Sequence, residues 1–169
     1  MKKRLNFLYS WFVWGVTFFF PDAPTIMRFR GWLYSFFMPS CGKNFQVASS
    51  VRILGLANLS VGENVFLATG VVINARERIT LHDEVLIGIN TLLVSSNHTK
   101  KNGSYRFGKP TGSPIIIGQG TWIAGNVVIG AGATIPHSSL IGANSYVNKK
   151  LTAVGLYAGS PVRLIKEEL

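Results

Sequence analysis

An aliphatic residue recurs at every sixth position in the second half of the chain, at Ile117, Ile123, Ile129, Ile135, Ile141 and Val147. A small or β-branched residue usually follows four places later, at Thr121, Val127, Ala133, Ser139 and Ser145. A period of six fits neither the roughly 3.6-residue period of a helix nor simple strand alternation. It is the period of a parallel β-helix, in which each side of a rung is a short strand followed by a corner. We therefore predict an all-β triangular prism in which both residues of each hexad face inward. Glycine and asparagine after the aliphatic residue predict corners with positive φ, at Gly118, Asn126, Gly130, Gly142 and Asn144.

The same register extends upstream when insertions are allowed at one corner. The aliphatic positions group into triplets: Cys41, Val47 and Ile53; Val61, Leu67 and Ile73; Leu81, Ile87 and Leu93; Ile117, Ile123 and Ile129; Ile135, Ile141 and Val147. The spacing is 6 within each triplet, and it is 8, 8, 24 and 6 between successive triplets. Each triplet predicts one coil, and five coils at about 4.8 Å per layer would form a prism roughly 20–24 Å tall.

The longest insertion follows Leu93. Residues 99–114 lack the repeat and are rich in polar residues and glycine. We predict a loop that projects from the prism at this point. Long excursions from a rigid scaffold commonly carry function, so this loop is a candidate part of the site.

The first forty residues differ from the repeat and predict an apolar helical segment. Three basic residues precede an uncharged run over residues 5–20. As a helix, this run would be about 24 Å long, short of a roughly 30 Å hydrocarbon core. Pro21 and Pro24 then interrupt it, and residues 25–38 combine Arg28 and Arg30 with aromatic residues.

Several interpretations of this segment are open. A cleaved signal peptide fits the basic start, but no small-x-small cleavage site follows. A single spanning helix would send the rest of the chain outside. An in-plane or re-entrant helical pair would anchor the protein at the cytoplasmic face, with Arg28 and Arg30 meeting lipid phosphates and tryptophans at headgroup level. Alternatively, the helices pack on the β-helix or on a neighbouring subunit. We adopt the anchored pair, which divides the chain into a membrane-associated segment (1–40), a β-helix (41–155) and a C-terminal tail (156–169).

The chain of 169 residues is long enough for one domain with a continuous core. Its net charge and its cysteine content limit the partners and sites that we predict. The net charge of +10 favours an anionic partner such as phosphate groups, a phospholipid surface or nucleic acid. No recognition motif or aromatic–basic platform accompanies the charge, so we do not predict nucleic-acid binding. The single cysteine, Cys41, offers no intramolecular disulfide and no zinc quartet.

Residues 41–165 resemble the hexapeptide-repeat acyltransferases, which have a left-handed parallel β-helix, and in particular their galactoside, maltose and surface-polysaccharide O-acetyltransferase branch. The likeness is carried by the hexads, the SSNH sequence at 95–98, the PIIIGQGTWI block at 114–123 and the closing YAGSPVR at 157–163. Two positions depart from the family pattern. Val162 stands where alanine is usual, and Ala124 stands where glycine normally follows the Trp-Ile pair.

The resemblance implies an acetyl-CoA-dependent O-acetyltransferase with His98 as general base and no required metal. An acetyl thioester is already activated, so the protein need only position an acceptor hydroxyl and remove its proton. A neutral imidazole with a pKa of about 6.5 suits that work near neutral pH.

The resemblance also implies that acetyl-CoA lies between adjacent subunits of a homotrimer. Its predicted contacts are Trp122, Ala124, Gly142, Ala143, Lys149, Lys150 and Arg163. Trp122 would flank the thioester, backbone groups near Ala124 and Gly142 would pair with the pantetheine amides, and the basic residues would meet the phosphates. The predicted acceptor contacts are Asn74, Glu77, Asn97 and Tyr105.

Because acetyl-CoA is cytosolic, we expect the prism at the inner face of the bacterial cytoplasmic membrane, acting on a surface polysaccharide or its lipid-linked precursor. The alternatives are an amino-sugar or nucleotide-sugar N-acetyltransferase and a non-catalytic β-helix scaffold. A zinc carbonic anhydrase on the same β-helix would need three histidine ligands, two of them close in sequence. His82, His98 and His137 are far apart, and we assign structural or exposed roles to His82 and His137.

Overall fold

The computed structural model describes the backbone of residues 2–167 and the side chains of residues 5–167. Two helices, α1 (Lys2–Thr17) and α2 (Pro24–Ser35), precede a parallel β-helix. The first three coils are β1 (Ser40–Cys41), β2 (Gln46–Val47) and β3 (Arg52–Leu54); β4 (Leu59–Val61), β5 (Phe66–Leu67) and β6 (Val72–Asn74); and β7 (Ile79–Leu81), β8 (Leu86–Ile87) and β9 (Leu92–Val94). A short 3-10 helix, Leu56–Asn58, lies between the first two coils.

The second half of the β-helix begins after a β-hairpin. The hairpin consists of β10 (Ser96–His98) and β11 (Pro110–Gly112). The remaining coils are β12 (Ile115–Ile117), β13 (Trp122–Ile123) and β14 (Val128–Ile129); and β15 (Thr134–Ile135), β16 (Leu140–Ile141) and β17 (Tyr146–Val147). The chain ends with β18 (Gly155–Ala158) and β19 (Arg163–Glu167).

Three sheets form the sides of the prism. Equivalent strands of successive coils pair in parallel, giving a first side of β1, β4, β7, β12 and β15; a second side of β2, β5, β8, β13, β16 and β18; and a third side of β3, β6, β9, β14 and β17. The register matches hexads to each other, as in Ile117 opposite Ile135 and Ile123 opposite Ile141. The predicted parallel β-helix is therefore confirmed.

The stack extends slightly beyond the five predicted coils. Lys150 forms a parallel bridge with Thr134 on the first side, and β18 pairs in parallel with β16 on the second side. These two segments begin a sixth, incomplete turn. The repeat is hard to recognise here because the hexad spacing ends after Val147, although Tyr157 still occupies the inward position and is buried.

The core consists of the residues that the hexad predicted. Every predicted inward aliphatic residue is buried, apart from Cys41 at the end of the stack, which is half-buried. The second inward residues are buried as well, at Thr121, Val127, Ala133, Ser139 and Ser145. Each coil therefore buries the same hexad pattern against the coils on either side.

The positive φ values fall on the third residue after the aliphatic position, at Gly120, Asn126, Gly132, Ser138 and Asn144. The prediction was therefore correct for the two asparagines and wrong for Gly118, Gly130 and Gly142. These glycines instead lie under the next coil. A Cβ added to Gly118 would lie 2.4 Å from the backbone nitrogen of His137, so close packing of the coils requires glycine there.

The helices pack against the first coil with one face each. Val13, Met27 and Tyr34 belong to the same buried cluster as the β-helix core. Arg30 is only 1% exposed. The expectation that Arg30 meets lipid phosphates was therefore wrong, because its guanidinium binds inside the protein.

The outward face of the two helices is apolar. Exposed large apolar residues include Leu5, Leu8, Trp11, Phe12 and Phe19 from the first segment, and Phe29, Trp32 and Phe36 from the second. The side chains of Lys2, Lys3 and Arg4 lie outside the described set. Within residues 2–167, no helix combines the length and apolar character needed to cross a bilayer.

Candidate active site

His98 lies on the hairpin that leaves the prism after β9. The chain passes from the third side to the first side at this corner, which also carries Leu56–Asn58 and residues 75–78 in the preceding coils. We call it the insertion corner. Residues 99–109 join β10 to β11, so the predicted irregular excursion has an antiparallel hairpin at its base. His98 pairs with Pro110 in this ladder, and it is exposed.

Of the other predicted loop residues, one lies on a strand of the hairpin and one lies in the connection between its strands. Asn97 is exposed beside His98 and pairs with Thr111. Tyr105 lies in the connection between the strands and is 62% exposed. The connection is held together by Thr99, whose hydroxyl donates to the backbone oxygen of Lys109 at 2.7 Å.

Asn74 and Glu77 lie beside the base of the hairpin. Asn74 ends β6, and Glu77 is in the corner that follows it. The buried Ser95 joins both to the hairpin: its hydroxyl accepts from the backbone nitrogen of Glu77 at 2.9 Å and lies 2.9 and 3.3 Å from the backbone oxygens of Glu77 and Asn74. A Cβ added to Gly112 would lie 2.4 Å from Cγ of Glu77, so the Glu77 side chain packs directly on β11.

A cavity of about 690 Å³ opens next to these residues at the insertion corner. Its walls come from the start of α1, from Phe37 and from the two corners at residues 54–58 and 74–77. The cavity therefore lies between the N-terminal helices and the corner that supports the hairpin.

The predicted cofactor residues of the β-helix lie mainly on the second side. Trp122 points outward from β13 and is 49% exposed. Ala124, Gly142 and Ala143 follow β13 and β16 at the next corner, where the backbone nitrogen of Ala124 donates to the oxygen of Ile141 at 2.9 Å. The backbone nitrogen of Gly142 donates to the oxygen of Tyr157 at 2.7 Å. These two N–H groups are therefore already paired between coils, and neither is free to bind pantetheine.

The basic residues do not form one cluster. Lys149 and Lys150 are exposed at the insertion corner, near the C-terminal end of the stack. Arg163 begins β19 and pairs with Ala158 on the second side. Residues 168 and 169 of the predicted tail lie outside the described residues.

The candidate site is thus divided within one chain. The insertion corner, with His98, is opposite the second side, with Trp122, because a corner of a triangular prism faces the side that does not contribute to it. A single protomer cannot bring these two side chains together. Among residues 2–167, no cluster of three or more His, Cys, Asp or Glu side chains is arranged to hold a metal ion.

Comparison with known proteins identifies the family. The chain is 33% identical to the galactoside O-acetyltransferase of Escherichia coli K12 over 126 residues, which cover 75% of this chain and 62% of the relative. It is 26% identical to a candidate colanic acid biosynthesis acetyltransferase of Escherichia coli K12 over 159 residues, covering 94% of this chain and 86% of the relative. The chain belongs to the hexapeptide-repeat acyltransferases.

A solved structure of a galactoside acetyltransferase in complex with coenzyme A superposes on this acyltransferase with a TM-score of 0.83. The two are 27% identical, and the superposition covers 98% of this chain and 82% of the other. The sequence match to the first galactoside enzyme spans less than two thirds of that protein's length. No family model matches the chain.

Two features of this acyltransferase were missed at the sequence level. The cavity combines residues from α1 with residues about 50 to 70 positions later, so no local pattern could reveal it. Arg30 was recognised only as a positive charge. Met27 and Tyr34 lie at i−3 and i+4 from Arg30, so all three share the buried face of the helix. This spacing was the signal in the sequence that Arg30 is buried.

Proposed function

We propose that this hexapeptide-repeat acyltransferase is an acetyl-CoA-dependent O-acetyltransferase whose acceptor is a sugar hydroxyl of a bacterial surface polysaccharide or its lipid-linked precursor. The observation that carries the proposal is the placement of His98, exposed at the outer end of β10 on a hairpin that projects from the insertion corner. Support for the donor comes from the similar galactoside acetyltransferase, whose structure contains coenzyme A.

His98 acts as the general base in this proposal. The His98 side chain is exposed and makes no hydrogen bond to the rest of residues 5–167, which leaves a ring nitrogen free to accept the proton of an incoming hydroxyl. The hydroxyl oxygen then attacks the thioester carbonyl, and the CoA thiolate leaves. General-base action of this kind contributes roughly 10²–10⁴-fold in rate.

We further propose that a homotrimer completes the site. The His98 corner of one protomer and the Trp122 side of its neighbour would form the two walls of a groove for acetyl-CoA. The opposite placement of these residues in one chain supports this arrangement, and so does the outward apolar surface of Phe66, Leu86 and Trp122 on the second side. Lys149, Lys150 and Arg163 would contribute positive charge near the phosphates.

The N-terminal helices are proposed to contact the inner face of the cytoplasmic membrane. Trp11 and Trp32 are about half exposed on the apolar face, and the positive charge of the chain favours anionic lipids. Sedimentation with vesicles of phosphatidylcholine and phosphatidylglycerol tests this contact. The Trp11→Ser/Trp32→Ser double variant should lose binding, and retention of full binding would contradict the proposed surface.

The acetyl-transfer proposal is tested by thiol release from acetyl-CoA in the presence of a panel of oligosaccharides. His98→Ala should lower acceptor-dependent release by roughly 10²–10⁴-fold, if the imidazole removes the proton. His82→Ala is the matched control, since His82 is exposed on an ordinary hexad corner away from the hairpin. Equal rates in the two variants would refute the role of His98. Appearance of acetyl on an amine instead of a hydroxyl, detected by its resistance to mild alkali, would favour the N-acetyltransferase.

A further inference from the structure

The cavity beside the hairpin is lined by both apolar and polar side chains. The apolar residues, which we call the apolar end, come from α1, the segment after α2 and the first insertion, namely Leu5, Phe7, Phe37, Leu54 and Ala57, with the amides of Asn6 and Asn58 among them. The polar end consists of Asn74, Arg76 and Glu77, which belong to the corner that supports the hairpin. A volume of about 690 Å³ is typical of small-molecule sites, which span roughly 300–1,000 Å³.

The polar end adjoins the hairpin of His98. Glu77 packs on Gly112 of β11, and Ser95 ties the Glu77 corner to the start of β10. Asn74, Arg76 and Glu77 present hydrogen-bonding and charged groups there, which suit a polyhydroxylated head group. A head group held at this end would have its hydroxyls on the same corner of the prism as His98.

The apolar end continues onto the exposed face of α1. Leu5, Leu8 and Phe12 follow one another at i, i+3 and i+7 on that helix, and all three are more than half exposed. A hydrocarbon chain that leaves the cavity past Leu5 would therefore remain in contact with apolar side chains. A free, water-soluble saccharide would use none of this surface.

From this lining we infer that the cavity binds a glycolipid, with the saccharide toward Asn74 and Glu77 and the hydrocarbon chain between α1 and Phe37. This inference rests on the proposed function in one respect: the bound saccharide is taken to be the acetyl acceptor, so the acceptor is the lipid-linked precursor. The binding itself does not require acetyl-CoA. It can therefore be measured separately from catalysis.

The test compares n-octyl β-D-glucopyranoside with methyl β-D-glucopyranoside by titration calorimetry on the full-length protein, below the micellar concentration and without acetyl-CoA. Each methylene group that becomes buried should tighten binding about fourfold. The octyl compound should therefore bind at least about tenfold more tightly than the methyl compound, since two buried methylenes already exceed that ratio. Equal affinities, or no octyl binding up to the micellar limit, would overturn the inference.

Two serine variants test whether the octyl chain of the ligand lies in the cavity. Phe7→Ser removes an aromatic side chain from the cavity wall, where Phe7 is 53% exposed. Phe29→Ser is the matched control, because Phe29 is 48% exposed on α2 and does not line the cavity. The octyl-to-methyl affinity ratio should fall at least about threefold in Phe7→Ser and stay unchanged in Phe29→Ser. An equal fall in both variants would show binding to the general apolar surface and would overturn the assignment to the cavity.

The two proposals fail in different ways. Octyl glucoside that binds with the expected ratio, in a protein that releases no thiol from acetyl-CoA with any acceptor, would refute the proposed reaction and leave the glycolipid site intact. Thiol release with soluble oligosaccharides, combined with equal affinity for the two glucosides, would refute the glycolipid site and leave the reaction intact.

Discussion

Arg30 offers a sharp test of how the helices are attached to the β-helix. The guanidinium donates to the backbone oxygens of Thr17, Phe20 and Val47. It also donates to the hydroxyl of Thr17 at 3.1 Å and forms an ion pair with Asp22 at 3.2 Å. One side chain therefore links the end of α1, the following turn and strand β2. We predict that Arg30→Met severely weakens this junction.

The magnitude follows from the groups left behind. A buried carbonyl oxygen that loses its donor costs about 1–3 kcal/mol, and breaking a buried ion pair costs about 3–5 kcal/mol. These penalties share one site and do not add. Asp22 also remains one-third exposed and keeps a hydrogen bond from the backbone nitrogen of Ser49 at 2.7 Å. We therefore expect a total loss of about 3–5 kcal/mol, which corresponds to a melting temperature lower by roughly 10 °C for a chain of this size.

Urea unfolding followed by tryptophan fluorescence provides the assay. Arg28→Met is the matched control, because Arg28 is exposed on the same helix and its replacement should change the free energy of unfolding by no more than about 0.5 kcal/mol. Arg30→Lys should recover little, because a single ammonium group cannot reach acceptors on three sides. If Arg30→Met unfolds at the same urea concentration as Arg28→Met, the guanidinium does not hold the helices and the reasoning is wrong.

Three further predictions concern stability and reactivity. Tyr34→Phe should stabilise the protein by about 1 kcal/mol in urea unfolding, since the buried hydroxyl has no hydrogen-bond partner in the described part of the chain; a loss of stability would reveal a missing partner. Gly118→Ala should destabilise by about 1–3 kcal/mol through the contact with the backbone of His137, whereas Gly15→Ala, with no atom within 4 Å, should stabilise α1 by up to about 1 kcal/mol; the opposite order of melting temperatures would refute this. Burial raises the pKa of Cys41 to about 11, so iodoacetamide should modify the folded protein at pH 8 about a hundredfold more slowly than the urea-unfolded chain, and equal rates would contradict the burial.

The hexad pattern alone determined the β-helix, its three-sided coils and the corner that carries the insertions. The reason is that each coil is built from local sequence and buries the same positions, so that a periodic pattern such as Ile117, Ile123 and Ile129 encodes one turn without long-range information. The position of the projecting loop was readable for the same reason, because it is where the period stops, whereas the hairpin at its base was not predicted. The sixth turn was missed once the period ended after Val147.

Tertiary structure decided everything that depends on residues distant in sequence. It showed that Arg30 is buried, that the cavity combines Leu5 and Phe7 with Asn74 and Glu77, and that His98 and Trp122 lie on opposite sides of one prism. The two N-terminal helices could have placed either face on the β-helix or on a membrane, because apolar residues occur all round them. The contacts with the first coil select between these faces, since packing is a property of two surfaces and a sequence pattern describes only one of them.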